Sequence, residues 1–321
     1  MTRETFQTSS FLDDRIVAAT PQSHEFSIEQ LIEAERPATP SPVRFVFHIA
    51  YCCSTLLSRA LDILGRTQVY REPVHLHQLA VIKRRPHDFP PRLSAHRPRL
   101  LRFSLAMLSK VWGDQVVPIV KPTDSCNNII ADILSNDPDS RAVLLYSQAR
   151  EFITSNLKSA GRRAFLKNFL ARSVRENAQD PSSPLRGVDV SGLAEAEAAA
   201  YVWMTQVRSY RAALRMRTDQ CVCLDAATLL ADTPRVLTAC GEFLRLGLSD
   251  ADIETVMGSG LWDRHAKDRG RRYSPADRRQ EMTVLPDALE REIRTGLDWI
   301  ERFDGSPADI RFDREIGAGR G

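Results

Sequence analysis

The sequence predicts an α/β fold built on a parallel sheet, and three observations carry that expectation. Five short runs have the length and apolar content of buried strands: Val43 to Ile49, Gln68 to Glu72, Gln115 to Val120, Ser140 to Tyr146 and Cys221 to Leu224. Segments with helical periodicity separate them, so strands that follow one another must run parallel. The first strand passes through a short turn of mostly small residues, Ala50-Tyr51-Cys52-Cys53-Ser54-Thr55, straight into a helix whose apolar face is Leu56, Leu57, Ala60, Leu61 and Leu64.

That opening unit also predicts where a ligand binds. A strand, a tight loop and a helix in that order leave backbone N–H groups and the positive end of the helix facing one concavity, which suits a phosphate or sulfate. In an open parallel sheet, ligands bind at the carboxyl ends of the strands. The second strand ends in Arg71-Glu72 and the third in Lys121, so both place charge on the edge that carries the loop.

Composition bounds the rest. A chain of 321 residues, 43% hydrophobic, can bury one large core, and a single α/β domain with insertions over residues 43–312 is expected. Residues 1–42 read as an N-terminal extension and 313–321 as a Gly-rich, disordered tail. A net charge of +3 suits an anionic ligand but is too weak to argue for nucleic acid, and no nucleic-acid motif is present. The charged N-terminus lacks the apolar core of a signal peptide, and no window is long and apolar enough for a membrane span, so a cytoplasmic protein is expected. The six cysteines show no zinc-like spacing and are expected to be reduced; Cys221 and Cys223 share one strand face as small hydrophobes.

Along the chain, Ser27 caps a short helix ahead of the Pro-rich run at Pro37, Pro40 and Pro42. The stretch from Lys83 to Arg92, with Arg97-Pro98-Arg99, reads as a basic loop: a solvated connection, a mobile lid or a guide for an acidic substrate. Asp124 or Ser125 caps the helix after the third strand. Residues 161–190 are basic and then polar, with a linker at Asp180-Pro181-Ser182-Ser183-Pro184. A long helix follows from Leu193 to Met216, in which Trp203 reads as core. A second basic cluster, Arg264, His265, Lys267, Arg269, Arg271 and Arg272, lacks periodicity and reads as a loop, and a helix from Leu285 to Phe303 closes the domain.

The loop is not a Walker A motif, which needs glycines where His48 and Cys53 stand and a lysine where Ser54 stands. Read together, FVFHIAYCCSTLLSRALD, VYREP, VPIVKPTDSCN and AVLLYSQAREFITSNLK resemble the PAPS-dependent sulfotransferase family, as a divergent bacterial-type member; the likeness covers residues 43–160, with a weaker echo in LDAATLLADTPRVLTACGEFLRLGL. The resemblance implies a P-loop-like three-layer fold with a central five-stranded parallel sheet and helical insertions. Against the family's loop, P-(K/R)-S-G-T-T-x-L, Ser54 and Thr55 fall on the two threonines, Cys53 on the glycine, Cys52 on the serine and Tyr51 on the cation, with Leu56 next; these residues would hold the 5′ phosphosulfate of PAPS. The family's R-x-P-R-x-x-x-x-S segment for the 3′ phosphate falls on Ser147, Arg150 and Ser155, so its first arginine is replaced. Two expected cations are thus missing, and the second basic cluster, above all Lys267, Arg271 and Arg272, is the expected substitute.

Sulfuryl transfer to an alcohol needs a base for the acceptor proton and positive charge on the leaving oxygen. Glu72 is the candidate base, with His75 and His77 as replacements, and Lys121 the candidate for the leaving phosphate, with Arg71 competing. An ion pair between Glu72 and Arg71 or Lys121 that merely orders the strand ends is the other reading. His48 reads first as a hydrogen-bonded core histidine. No metal is expected. The expected function is transfer from PAPS, leaving PAP, to a hydroxyl or amine of a small or conjugated acceptor. Alternatives are a non-catalytic anion- or partner-binding member of the fold and, less favoured, a small-molecule kinase.

Overall fold

The computed structural model describes residues 12, 25–33, 42–113, 116–265, 268–304 and 309–317. Its centre is a parallel sheet of β1 (Arg44–His48), β2 (Thr67–Arg71), β3 (Val117–Lys121), β4 (Arg141–Tyr146) and β5 (Cys221–Asp225), in the order β2-β3-β1-β4-β5. All five strands predicted from sequence are present and all pairs are parallel. The first two are not neighbours, because β3 lies between them. In this order the chain reverses direction across the sheet after β2, and the loop after β1 opens beside that switch point.

Helices cover both faces. The β1-to-β2 crossover is α2 (Ser54–Ala60), preceded in the chain by α1 (Ile28–Glu33). The later crossovers run the other way across the sheet, so right-handedness puts their helices on the opposite face. They are α3 (Val74–Arg84) and α4 (Pro91–Leu108), then a 3-10 turn (Asp124–Ile129) with α5 (Ile130–Leu134), then α6 (Ala149–Leu157), α7 (Ala160–Gln179) and α8 (Glu195–Met216). After β5 come α9 (Ala226–Ala231), α10 (Thr233–Phe243), α11 (Asp250–Gly258), a hairpin of β6 (Arg264–His265) and β7 (Asp268–Arg272), α12 (Pro275–Thr283) and α13 (Asp287–Asp304). The predicted P-loop-like three-layer α/β fold is the one observed.

Several local expectations need correction. The first basic stretch is mostly helical: α4 starts with Pro91 at its first turn and runs through Pro98. An internal proline costs about 3 kcal/mol, and full burial of a leucine returns roughly 1.5–3 kcal/mol. Leu101 and Leu108, both buried on this helix, therefore outweigh it. Its cations are tied down, Lys83 and Arg97 to Asp132, and buried Arg84 to Glu176 and the Ser125 carbonyl. Thr123, not Asp124 or Ser125, caps the turn after β3, its Oγ1 accepting from the Ser125 amide.

The basic stretch after residue 160 is the 20-residue helix α7, capped by Ser159. Its buried face is Leu166, Phe169, Ser173 and Asn177, so half the stripe is polar and the apolar period is weak. Asn177 satisfies itself against Tyr201 and Thr205 of α8. The second basic cluster pairs as the β6–β7 hairpin rather than a loop. The boundary expected at residue 312 falls inside a stretch packed on β5: the Cys223 amide donates to the Arg314 carbonyl, its carbonyl accepts from the Ile316 amide, and Tyr146 Oη donates to Glu315. Three residues there cover part of a sheet edge that would otherwise be open to pairing. Trp203 is core, as expected, with Nε1 donating to the Ser147 carbonyl.

Gly296 lets α13 approach α8. A Cβ there would stand 2.7 Å from the Ala196 carbonyl oxygen and 3.0 Å from Ile153 Cδ1. Alanine gains up to about 1 kcal/mol of helix propensity, but overpacking against backbone costs roughly 1–3 kcal/mol. Gly296→Ala should therefore lower stability by about 1–2 kcal/mol in urea unfolding; an unchanged or raised midpoint would contradict this packing.

Candidate functional site

The loop after β1 is shaped by two residues in the left-handed region, Tyr51 (φ 65°) and Cys53 (φ 66°). That conformation costs a side-chain-bearing residue about 1–2 kcal/mol and needs a compensating reason. Cys53 stands where the resembled motif has glycine, the residue for which this conformation is free. A left-handed Cys53 followed by the right-handed first residue of α2 turns successive amides toward one concavity, a form of anion nest. Ser54 and Thr55 are buried in the first turn of α2, and neither hydroxyl bonds to a described residue; no side chain caps the helix. Cys52 is no nucleophile: its thiol donates to the Ile49 carbonyl, and burial pushes its pKa up to about 12. Leu56 is half-buried and packs on the core.

Cations meet the loop from outside it. Arg278 of α12 donates from Nη2 to the Tyr51 carbonyl at 3.0 Å. The Arg162 guanidinium of α7 lies 4.4 Å from the Tyr51 ring centroid and donates to the Ser155 carbonyl. The ring also meets Phe169 edge-on at 6.4 Å. Sequence reasoning missed both arginines. A cap signal, Ser159 three residues ahead of Arg162, marks the start of α7, but nothing in the sequence says that this helix reaches the loop.

A second group of charges sits on the adjacent strand ends. Lys121 ends β3 with its side chain 2% exposed, and Nζ donates to Glu72 Oε1. Glu72 follows β2 with φ 53°, and its amide donates to the Lys121 carbonyl. Its Oε2 takes no hydrogen bond from a described residue. His48, buried at the end of β1, has Nε2 3.9 Å from Glu72 Oε1 and otherwise unpartnered, while Nδ1 faces the Ile49 carbonyl, an arrangement that assigns the proton to Nδ1. Burial first, then Lys121, lowers its pKa to about 4, so it is neutral near pH 7. Behind them Arg172 pairs with Asp124; burial pushes that carboxyl up, and Arg172 with its other cationic neighbours outweighs burial and holds it low. Lys121 and Arg278 both bear electrostatically on the Cys52 thiol, so both groups of cations are felt at the loop.

The remaining expected residues separate. Arg71 turns away to Asp62 at 2.7 Å and is no rival to Lys121. Ser147 is buried with its hydroxyl unpartnered. Arg150 is half-exposed and bidentate to Glu290 of α13 at 2.5 and 2.9 Å. Ser155 is buried within α6. His77 Nδ1 lies 2.5 Å from Ser125 Oγ, and burial lowers its pKa; burial alone takes His75 to about 4. Lys267 lies outside the described residues. Among those described, no group of three or more His, Cys, Asp or Glu is arranged for a metal ion, and no helix is long and apolar enough to cross a membrane.

No family model matches the chain, and no curated protein does. Solved structures similar to it include a sulfotransferase domain from the curacin biosynthetic pathway, at 11% identity and TM-score 0.48 over 82% of this chain and 99% of that one. A sulfotransferase domain of the Synechococcus PCC 7002 olefin synthase matches at 15% identity and 0.44, over 85% and 96%. A sulfotransferase from Alicyclobacillus acidocaldarius matches at 13% and 0.40, over 84% and 97%. At such values the functional argument rests on the site itself.

Two predictions follow from this geometry. Cys53→Gly should be about 1 kcal/mol more stable than Cys53→Ala, because only glycine relieves the left-handed strain; chemical denaturation of the two variants decides it. His48 and His75 bind protons more tightly unfolded, near 6.5, than folded, near 4. Their contribution to stability is complete above about pH 6.5 and is lost as pH falls toward 4, on the order of 3 kcal/mol for His48. Urea midpoints at pH 7.5, 6 and 5 should fall steadily, and His48→Gln should flatten the profile; an unaltered slope would remove His48 from the account.

Proposed function

We propose that this chain is a sulfotransferase that moves a sulfuryl group from PAPS to a hydroxyl or amine of a small or conjugated acceptor. The observation that carries the reading is the loop after β1: two hydroxyls without a partner among the described residues, a left-handed backbone and two guanidiniums beside Tyr51, on a strand whose neighbour β3 ends in the Lys121–Glu72 ion pair. The loop residues Tyr51 to Leu56 would hold the 5′ phosphosulfate. Ser147, Arg150 and Ser155 are assigned to the 3′ phosphate, with Lys267 as a further contact by resemblance. Arg150 must leave Glu290 to do this, and that is cheap. An exposed pair is worth about 0–1 kcal/mol, against roughly 1.5–3 kcal/mol for a charge-assisted bond to phosphate.

PAPS supplies a sulfuryl group already joined to a phosphate leaving group. Glu72 accepts the acceptor proton at Oε2, the oxygen that Lys121 does not occupy. Lys121 directs positive charge at the leaving oxygen in place of a loop cation. His48 Nε2 lies 3.9 Å from Glu72 Oε1, and as a neutral imidazole it adds no charge beside the Glu72–Lys121 pair. The Lys121–Glu72 contact also favours the second reading, a non-catalytic anion-binding member of the fold in which the pair only orders the strand ends.

Thermal shift with PAP, PAPS, ADP and ATP separates these readings, since ligand at a hundred times its Kd stabilises by about 2.7 kcal/mol. A shift with PAP and none with ADP is expected; a shift with ADP would point to a kinase, and none with any nucleotide would overturn the proposal. Glu72→Gln should abolish transfer, keep PAP binding and cost about 1–3 kcal/mol by leaving Lys121 short of a counter-charge. PAP binding without turnover by the wild type over a broad acceptor panel would leave the non-catalytic reading.

A further inference from the structure

Tyr51 occupies the position from which the resembled loop motif presents a cation, yet positive charge has not been lost from that side of the loop. Arg162 and Arg278 stand there, brought from α7 and α12. Neither has a carboxylate within ion-pair distance among the described residues, whereas their neighbours do. Arg163 pairs with Glu195 and Glu292, Lys158 with Glu281, Arg150 with Glu290 and Arg172 with Asp124. Both guanidiniums are half-buried, and each is steered by the loop or its surroundings: Arg278 by the Tyr51 carbonyl, Arg162 by the Tyr51 ring and the Ser155 carbonyl. The helix α12 buries no residue completely, and two of its side chains bond to the body of the protein, Arg278 to the Tyr51 carbonyl and Glu281 to Lys158.

Resting on the reading of the loop as an anion site, we infer that Arg162 and Arg278 are the anion-binding cations of this loop, and that Tyr51 is the platform on which Arg162 is held. Each guanidinium spends one donor group on the protein and keeps others from its five N–H donors for phosphate or sulfate oxygens. The aromatic ring does what a lysine at position 51 could not. It fixes a planar cation borne by another helix through a face-on contact, and that contact fits guanidinium better than ammonium. Charge enters the site from the insertion and the C-terminal region instead of from the loop.

The experiment is titration calorimetry of the full chain with PAP and, separately, inorganic pyrophosphate. Arg278→Gln and Arg162→Gln should each weaken PAP binding about tenfold to a hundredfold, the loss expected for one charge-assisted contact. Arg279→Gln, on the same helix and exposed, should leave it unchanged. Tyr51→Phe should bind like wild type, and Tyr51→Leu should resemble Arg162→Gln. Wild-type affinity in both arginine variants would overturn the inference while leaving the proposed function standing. Pyrophosphate binding that depends on the arginines, without PAP binding, would support the inference and remove the nucleotide reading. Absence of binding to either anion by the wild type would overturn both.

Discussion

An ammonium that is 2% exposed at the end of a strand dictates much of what surrounds it. Burying a charge without a partner costs several kcal/mol, so Lys121 needs a carboxylate within reach. Glu72 provides one only by leaving β2 in a left-handed turn, which brings the next strand's carboxylate back across the sheet edge. His48 completes the row from β1 and remains neutral because burial, and then Lys121, oppose its protonation. Three neighbouring strands therefore end in one continuous polar group. The loop leaves β1 two residues beyond His48.

The other side of the loop follows a different logic. There the charges are half-buried guanidiniums held by a ring face and by carbonyl oxygens, contacts that leave donor capacity unused. Three of the four non-glycine residues with left-handed backbones among those described lie in the loop or at the adjacent strand end. Tyr51, Cys53 and Glu72 all hold left-handed backbones without being glycine, and at roughly 1–2 kcal/mol each they are tolerated where the surrounding core over-determines them. Phe45, Val46 and Phe47 of the first strand and Ile49 just after it are completely buried, and Leu57 of α2 and Leu61 at its end belong to the same core.

Strands and the helices with a clean apolar face were legible in the sequence, because their side chains meet one environment. The elements that escaped are those whose side chains meet two. In α7 the inward stripe runs from Leu166 and Phe169 to Ser173 and Asn177, and a polar residue such as Asn177 that finds buried partners is indistinguishable in sequence from a solvated one. In α4 a proline and several cations disguise a helix because Arg97 has Asp132 to pair with and Leu101 and Leu108 have a core to enter. The hairpin β6–β7 has no apolar alternation to announce it.

By itself the sequence determined the α/β class, the five parallel strands, the place of the loop and the candidates Glu72 and Lys121, since each depends on local periodicity or on which residue ends a strand. The tertiary structure alone decided that Arg71 is spent on Asp62, that Glu72 and Lys121 are joined, and that the cations beside Tyr51 come from positions 162 and 278. Those outcomes depend on which helices reach the carboxyl edge of the sheet. Electrostatic partners are chosen by distance in space, and the guanidinium that meets the Tyr51 carbonyl comes from 227 residues along the chain.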